Sequence, residues 1–570
     1  MTYAGRHGRA DDAPHSPTRA SAELLEVAQA WVDDDPDHDT RVELGEVIAR
    51  AKTGEAEALA DLAERFSGML EFGTAGLRGA LGAGPNRMNR AVVIRAAAGL
   101  TAYLKERDAE PFVVIGYDAR HKSDVFAHDT AAVVVGAGGR AAVLPHTLPT
   151  PVLAFAIRYL GADAGVMVTA SHNPPQDNGY KVYLGDGSQI VPPADADIAA
   201  HITRVRTVAD VRLADDGWET LGDDVVEAYV DATARLVSPD SPRDLSVVHT
   251  ALHGVGSATL LDVFARAGFP APTPVPSQQH PDADFPTVSF PNPEEPGAID
   301  AALEVARAVR PDLVLANDPD ADRCAVAVAD GGEWRMLRGD EVGALLGAHI
   351  LARGVPQDAV FANSIVSSRL LGAMAAKAGI RHEETLTGFK WIARVPGLRY
   401  GYEEALGYCV DPATVRDKDG VSASLLIAEM AAGLKAQGRV LGDVLDDLAV
   451  EHGIHATDSF SVRVADLALI GQLMGRLREQ PPAAIAEIAV ERADDLAAGS
   501  EALPPTEGLR YYLADGSRVI VRPSGTEPKL KVYLEVIEPV PDRPALAAAG
   551  ERASARLAAI RDAMHGLTAL

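Results

Sequence analysis

The stretch TASHNPPQDNGYKVY, residues 169–183, sets a serine beside a histidine, an asparagine and two prolines, with a lysine ten positions beyond the serine. Ser171 follows the apolar run AGVMVTA (164–170), at what reads as the carboxyl end of a strand. Open α/β sheets place their ligands at such ends. Taken alone the segment has two readings. Its hydroxyl caps a turn, or Ser171 is a nucleophile or phosphoryl carrier with Lys181 as acid/base partner.

A second cluster is NDPDADR, residues 317–323, where Asp318, Asp320 and Asp322 alternate after the apolar run LVLA. In a tight loop this spacing turns three carboxylates toward one point, and hard oxygen ligands suit Mg²⁺, Mn²⁺ or Ca²⁺. An EF-hand loop would need Gly at its sixth position and Glu at its twelfth; here those places hold Arg323 and Ala329. A solvated acidic turn is the other reading. Three carboxylates so close repel one another unless a cation intervenes, which favours a metal site.

Two further stretches carry groups suited to a phosphorylated, hydroxyl-rich ligand. In RPSGTEPKLKVY (522–533), Arg522, Ser524, the amides of Gly525 and Thr526, and Lys531 can wrap a phosphate. Turn amides form an anion nest and arginine adds a bidentate fork. A bare hairpin turn fits the same residues. In GYEEALGY (401–408) with RDKDG (416–420), Glu403 and Glu404 can accept from sugar hydroxyls and Lys418 can hold a phosphate, or all three are merely solvated. Arg78 in EFGTAGLRG (71–79) and the cluster Arg120, His121 and Lys122, with Ser123 beside it, place basic groups at loop positions. GAGGRA (136–141) only imitates a dinucleotide fingerprint, because it ends a helix and precedes a strand. No G-x-x-x-x-G-K-[ST] loop occurs.

The elements that must position these residues alternate. Residues 22–66 read as helical and EFGTAGLRG as a loop. The apolar runs FVVIGYD (112–118), AAVLP (141–145) and AGVMVTA then alternate with helical stretches such as 125–138, the order of an α/β layer fold. A helix near 223–237 runs into SPDSPRD, and LSVVHTALHGVG, LVLAND and CAVAVAD supply more buried strands. A third series starts near 339 and includes AVFANSIV, TGFKW and the long helix 420–438. From about 455 the order changes to strands and a closing helix over 544–564, an α+β unit. With 570 residues the chain exceeds one hydrophobic core.

The totals bound the classes. A net charge of −28, from 81 acidic and 53 basic residues, argues against nucleic acid and anionic membrane as partners. No apolar run reaches the 18 residues of a membrane span. Residues 1–20 are polar, unlike a secretory signal, and are expected to be a flexible tail. Two cysteines, Cys324 and Cys409, suit a reducing cytoplasm.

In this order TASHNP, DPDADR, GYEEALGY and RPSGT resemble the α-D-phosphohexomutase superfamily of phosphoglucomutases and phosphomannomutases, from about residue 65 to the C-terminus. TASHNPPQDNGYKVY, TGFKW and RPSGTEPK are most similar to its longer branch, which includes phosphopentomutase and glucose-1,6-bisphosphate synthase types. The resemblance implies a four-domain α/β architecture: three α/β mixed-sheet domains and a C-terminal α+β domain around a central cleft. On this sequence the domains would follow a tail at 1–20 and span 21–222 (phosphoserine loop), 223–338 (metal loop), 339–454 (sugar loop) and 455–570 (phosphate loop).

By the same resemblance Ser171 is phosphorylated in the active enzyme, and its phosphate completes a Mg²⁺ shell begun by Asp318, Asp320 and Asp322. Lys181 and Arg78 assist proton movement, with His172 beside the phosphoserine, and Arg323 steadies the phosphoserine or the substrate. TGFKW, with Gly388 and Lys390, sets sugar orientation, and Glu403 grips sugar hydroxyls. Lys418 serves the substrate, while Arg522, Ser524, Gly525, Thr526 and Lys531 bind the phosphate that is not reacting. The implied reaction interconverts hexose 1- and 6-phosphates, of glucose and by extension mannose, through a bisphosphate that turns over without leaving. Glucose 1,6-bisphosphate would be intermediate and activator. One Mg²⁺ per subunit, a monomer or homodimer, and a cytoplasmic location go with it. Phosphopentomutase and sugar-bisphosphate synthase are the rivals within the family; a phosphatase and a silent sugar-phosphate sensor lie outside it. One departure is Ala405, where many glucose-type relatives carry serine.

Overall fold

The computed structural model describes residues 19–73, 76–464, 467–501, 503–524 and 529–569. The Ala-, Leu- and Glu-rich N-terminal segment forms three helices, Arg19–Asp34, His38–Lys52 and Ala56–Arg65, where the sequence suggested one continuous helical stretch. Proline has no N–H to donate and biases the preceding residue away from the α region, so the first helix ends before Pro36. Asp37 then caps the second helix by accepting from the Asp39 N–H. The second break lies at Thr53–Gly54, with Gly54 at φ +85°.

The chain divides into two compact units. The first comprises residues up to Thr147, Tyr159–Gly185 and Gln189–Gly222, and the second Leu148–Arg158, Asp186–Ser188 and Asp223–Leu570. In the first unit six strands run in the order Leu77–Ala80, Asp177–Leu184, Ala164–Val168, Phe112–Tyr117, Arg140–Val143 and Glu219–Thr220. Phe112–Tyr117 pairs in parallel with both neighbours, whereas Asp177–Leu184 is antiparallel to both of its own. Ala164–Val168 is buried throughout, as expected of a strand covered on both faces. The N-terminal helices bury Leu25, Trp31, Leu44, Ile48 and Leu62 in the same core as Val113, Ile115 and Val166. EFGTAGLRG is not all loop: Leu77–Ala80 is an edge strand anchored by the buried Leu77.

The second unit contains three sheets. One orders Glu333–Met336, Ala325–Asp330, Leu313–Ala316, Val247–Thr250 and Thr273–Pro274. Another orders Arg381–Thr385, Val360–Ser364, Leu398–Glu403 and Gly407–Cys409. The last is antiparallel throughout and runs Ile454–Arg463, Lys529–Glu538, Arg518–Pro523, Leu509–Leu513, Ile488–Asp495 and Ala484–Ile485. The closing helix, Leu546–Leu567, packs Ala553, Leu557, Ile560 and Met564 into the core of that sheet. Two sheets with parallel pairs and a terminal antiparallel one match the change of order near residue 455. Glu535 ties the terminal sheet inward: its carboxylate accepts from Ser368 Oγ (2.9 Å), the Arg369 N–H (2.7 Å) and Arg369 Nε (2.6 Å), and pairs with Arg518 and His455. Among the described residues no helix is long and apolar enough to cross a membrane.

Candidate active site

In the first unit the strand Ala164–Val168 ends in a turn that leaves Ser171 buried at φ +51°. The Ser171 N–H donates to Thr169 Oγ1 (2.9 Å), and Ser171 Oγ lies 3.3 Å from His172 Nδ1. Asn173 is held from two sides: Arg78 Nη1 donates to its Oδ1 (3.3 Å), and its Nδ2 donates to Asp177 Oδ2 (2.9 Å). Lys181 is buried on the next strand, opposite Met167, and Arg78 stands opposite Gly179 on the strand beyond. Alternation puts residues two apart on one face, so Arg78 and Lys181 are diagonal neighbours on the same side of the sheet. Gly76 explains part of the glycine-rich loop: at φ +78°, a Cβ there would stand 1.9 Å from the Tyr180 carbonyl oxygen. Ser171, His172, Lys181 and Arg78 thus all belong to three adjacent strands and the turn that ends one of them.

In the second unit NDPDADR joins Leu313–Ala316 to Ala325–Asp330. Asn317 fixes its start, with Oδ1 2.8 Å from His249 Nε2 and Nδ2 donating to the Arg323 carbonyl (2.7 Å). Burial pulls that histidine down to about 4, so it packs as a neutral ring. Asp318 Oδ1 accepts from the Arg323 N–H (3.1 Å), and Thr150 grips Asp320 twice, by its N–H on the backbone carbonyl and its hydroxyl on Oδ2. Asp318, Asp320 and Asp322 are buried, each offering a carboxylate oxygen within 4.8 Å of the others.

Two cations border the triad. Arg323 Nε lies 3.9 Å from Asp318 and 3.8 Å from Asp322, and Lys418 Nζ lies 3.2 Å from Asp322. Burial opposes both charges, yet Asp318 and Asp322 lead the carboxylates that hold Arg323 protonated, and Asp322 and Asp417 do so for Lys418. Gly420 allows the close approach of the two loops, since a Cβ there would stand 2.1 Å from the Arg323 carbonyl oxygen. Three buried hard-oxygen donors fit a Mg²⁺-type cation. Cys324, next along, offers no soft ligand: its thiol is buried, bonded by Ser424 Oγ and pushed up to about 12 by burial.

The adjacent glutamates of GYEEALGY have different surroundings. Glu404 Oε2 accepts from Ser364 Oγ and Ser367 Oγ, both at 3.0 Å. Glu403 is pushed up by burial, while Lys418 and Arg323 pull the other way. The Ala405 carbonyl accepts from Arg323 Nη1 (3.0 Å). Gly388, at φ +106°, starts the single-turn helix Phe389–Ile392, which buries Lys390. Phe389 faces Lys418, whose Nζ is 5.6 Å from the ring centre.

In the terminal sheet Arg522 stands opposite Lys531, and the Ser524 N–H donates to the Lys529 carbonyl (2.8 Å). Gly525 and Thr526, expected to complete a phosphate nest, lie outside the described residues. Burial lowers the Lys531 ammonium; Glu404 and Glu294 oppose that and Lys529 and Arg522 add to it.

Glu294 had no signal in the sequence beyond a proline-flanked acidic pair, which reads as a solvated loop. Solvent reaches it, but the recess around it raises its carboxyl to about 7, with Arg323 and Lys531 opposing and Glu404 and Glu403 adding. One carboxylate thus responds to Arg323, to Glu403 and Glu404, and to Lys531. Thr150, Ser364 and Ser367 were likewise not singled out, since an isolated hydroxyl carries no pattern.

Known proteins identify the family. Residues 69–209, 227–332 and 338–451 match the family models for phosphoglucomutase/phosphomannomutase alpha/beta/alpha domains I, II and III, and 461–539 match that of the C-terminal domain. The chain is 50% identical over 454 residues to a probable phosphomannomutase of Haemophilus influenzae, covering 79% of this chain and 93% of that protein. It is 35% identical over 543 residues to phosphopentomutase of Homo sapiens, covering 84% and 87%. The solved open form of pp63/parafusin, a phosphoglucomutase from Paramecium, shares the fold, with a TM-score of 0.66 at 19% identity over 88% of this chain and 96% of that one. The chain belongs to the phosphoglucomutase/phosphomannomutase family, isomerases that act as phosphotransferases on sugar phosphates.

Proposed function

We propose that this phosphomutase interconverts the 1- and 6-phosphates of glucose, with mannose phosphates as further substrates, through a phosphoserine at Ser171. The observation that carries the reading is the buried cluster of Asp318, Asp320 and Asp322 with Arg323 and Lys418 against it, together with Arg522 opposite Lys531 on the terminal sheet. Two groups of cations, Arg323 with Lys418 and Arg522 with Lys531, suit a sugar that carries phosphate at either end, and Glu403 and Glu404 supply acceptors for its hydroxyls. A monoester phosphatase would not require the second cationic group at Arg522 and Lys531.

In the proposed cycle the P–O bond at Ser171 Oγ breaks as the free hydroxyl of a sugar monophosphate bonds to phosphorus. Lys181, helped by Arg78, takes the hydroxyl proton. The bisphosphate then turns over, its other phosphoryl group returns to Ser171 Oγ, and the proton goes back to the departing sugar oxygen. Asp318, Asp320 and Asp322 would hold Mg²⁺, which neutralises phosphoryl charge when bound. Glu403 accepts from sugar hydroxyls, with Gly388 and Lys390 shaping the loop beside it. Arg323 and Lys418 stabilise phosphoryl or substrate charge, and Arg522, Ser524, Gly525, Thr526 and Lys531 retain the idle phosphate. His172 stays beside the carrier serine. Domain limits near residues 222, 338 and 454 belong to the same proposal.

A second reading is a phosphopentomutase, the activity named for the human relative, and Ala405, which lacks the serine hydroxyl of many glucose-type enzymes, leaves the sugar open. A coupled assay over glucose, mannose, ribose and deoxyribose 1-phosphates, with and without glucose 1,6-bisphosphate, decides between them. A kcat/KM for glucose 1-phosphate below that for both pentose phosphates refutes the hexose reading.

A further inference from the structure

We propose that Arg120 is the positioning residue of the phosphoryl-carrying loop, aiming Ser171 by gathering the loop's main-chain carbonyls onto one guanidinium. The inference rests on the reading of Ser171 as phosphoryl carrier. The Arg120 side chain is fully buried. Its Nη2 donates to the carbonyls of Ser171 (2.6 Å) and Asn173 (2.5 Å), and its Nη1 to those of Pro174 (2.8 Å) and Asp177 (3.0 Å). Four acceptors within seven residues of chain converge on a single side chain.

The sequence of the loop leaves it short of its own donors. Pro174 and Pro175 have no N–H to give, so the segment closes on itself only where the Asn173 and Asp177 N–H groups reach the Ala170 and Pro174 carbonyls, and the Ser171 and Asn173 carbonyls turn to Arg120 instead. Prolines stiffen the loop without choosing its direction, whereas a planar fork with fixed donor angles does choose one. The fork is itself anchored. Asp118 Oδ2 lies 3.4 Å from Arg120 Nε, and Asp118 Oδ1 accepts from the Arg120 N–H (3.0 Å) and Ser123 Oγ (2.8 Å). The Asp118 N–H donates to the Val168 carbonyl (3.1 Å), at the end of the strand that leads to Ser171. Two neighbouring strands are thereby linked through Arg120 to the serine whose φ is +51°. A lysine would keep the charge but is a point donor that cannot span four carbonyls.

The test compares wild type, Arg120→Lys and Arg90→Lys, the last altering the bidentate Arg90–Asp129 pair elsewhere in the first unit. Each protein is dephosphorylated and given glucose 1,6-bisphosphate. Phosphate on Ser171 is followed by peptide mass spectrometry, and mutase kcat and KM are measured well below the unfolding temperature. Misplacing a reacting atom by about 1 Å costs on the order of 100-fold. Arg120→Lys is therefore expected to slow Ser171 phosphorylation and kcat by about 10–100-fold with KM changed less than about two-fold, and Arg90→Lys to leave both rates unchanged. Phosphorylation of Arg120→Lys at the wild-type rate overturns the inference alone. Mutase activity in wild type without phosphate on Ser171 overturns the carrier reading and this inference together. Should Arg120→Lys not fold, hydrogen exchange on the wild type decides. The Asn173 and Asp177 amides, bonded to the Ala170 and Pro174 carbonyls, are expected to be protected, and exchange at unstructured rates overturns the inference.

Discussion

Replacing Asp320 by Asn tests the metal reading through stability rather than turnover. Two carboxylates no more than 4.8 Å apart repel by about 3–4 kcal/mol at an effective dielectric near 20, and Asp320 faces both Asp318 and Asp322. Arg323 and Lys418 offset part of this, and Asp417 draws on the same lysine. Asparagine keeps an oxygen that can accept from Thr150 Oγ1 while removing one charge. The metal-free variant is therefore expected to unfold at the wild-type temperature or above, an unusual outcome for a fully buried position. Mg²⁺ at about 100 times its dissociation constant stabilises the wild type by about 2.7 kcal/mol, a rise on the order of 3–6 °C in the unfolding of a unit this size. Asp320→Asn should lose most of that rise. Differential scanning calorimetry with EDTA and then with Mg²⁺ reads both quantities. An unchanged Mg²⁺ shift in the variant would falsify the ligand role, and a metal-free variant several kcal/mol less stable than wild type would contradict the crowding argument.

Three other outcomes follow from the same geometry. Ser171→Ala should lower mutase turnover by at least about 10³-fold with circular dichroism unchanged, measured where bisphosphate is too dilute to bypass the enzyme; near-normal turnover would end the phosphoserine mechanism. Arg522→Ala should raise KM by roughly 10–100-fold, the worth of lost charge-assisted hydrogen bonds, with a smaller effect on kcat; an unchanged KM argues against a phosphate grip. Glu535→Gln should cost about 3–5 kcal/mol, because it leaves Arg369 and Arg518 beside a neutral group. Burial pushes the Glu535 carboxyl up, but Arg518, His455 and Arg369 outweigh it and hold it well below the usual carboxylate range. A depressed folded-state value makes that stabilisation complete above the unfolded pKa of about 4.3 and lost as pH falls through the folded value. Denaturant titrations of both proteins should show a constant difference from pH 7 to about 4.5 that shrinks in stronger acid; a difference that grows on acidification refutes the assignment.

Much of the fold was legible because its signals are local. AGVMV is apolar enough to be a doubly covered strand, and the change from alternating helices and strands to strands alone marks the terminal sheet. The N-terminal helix breaks were readable in principle from Pro36 and Gly54, but an Ala/Leu/Glu-rich composition masks them. A cluster was legible where like groups recur at tight spacing, as with Asp318, Asp320 and Asp322, which the fold does bring together. Residues that serve through one long-range contact were not. Thr150 is 170 positions from Asp320, and Glu294 gains its character from Arg323 and from Glu403, Glu404 and Lys531 much farther down the chain. Arg120 was visible only as part of a basic cluster, since nothing local reveals that its acceptors lie 51–57 residues away. Spacing in sequence reports geometry within a turn, and only the folded chain reports it between turns.

The left-handed backbone at Ser171 has an evolutionary consequence. Holding a non-glycine residue there costs about 1–2 kcal/mol, and glycine would remove most of that cost while losing about 0.5–1 kcal/mol to chain entropy. Selection for robustness alone thus gains little or nothing by keeping the serine, and on the proposed mechanism it drifts toward an inert protein. Threonine, the obvious hydroxyl substitute, is β-branched and the least welcome in that conformation. If Ser171 is the phosphoryl carrier proposed above, serine is the better tolerated of the two aliphatic hydroxyl residues here, held against a mild thermodynamic incentive to lose it. Libraries sorted only for heat resistance should enrich glycine at 171, and the enriched clones should be dead.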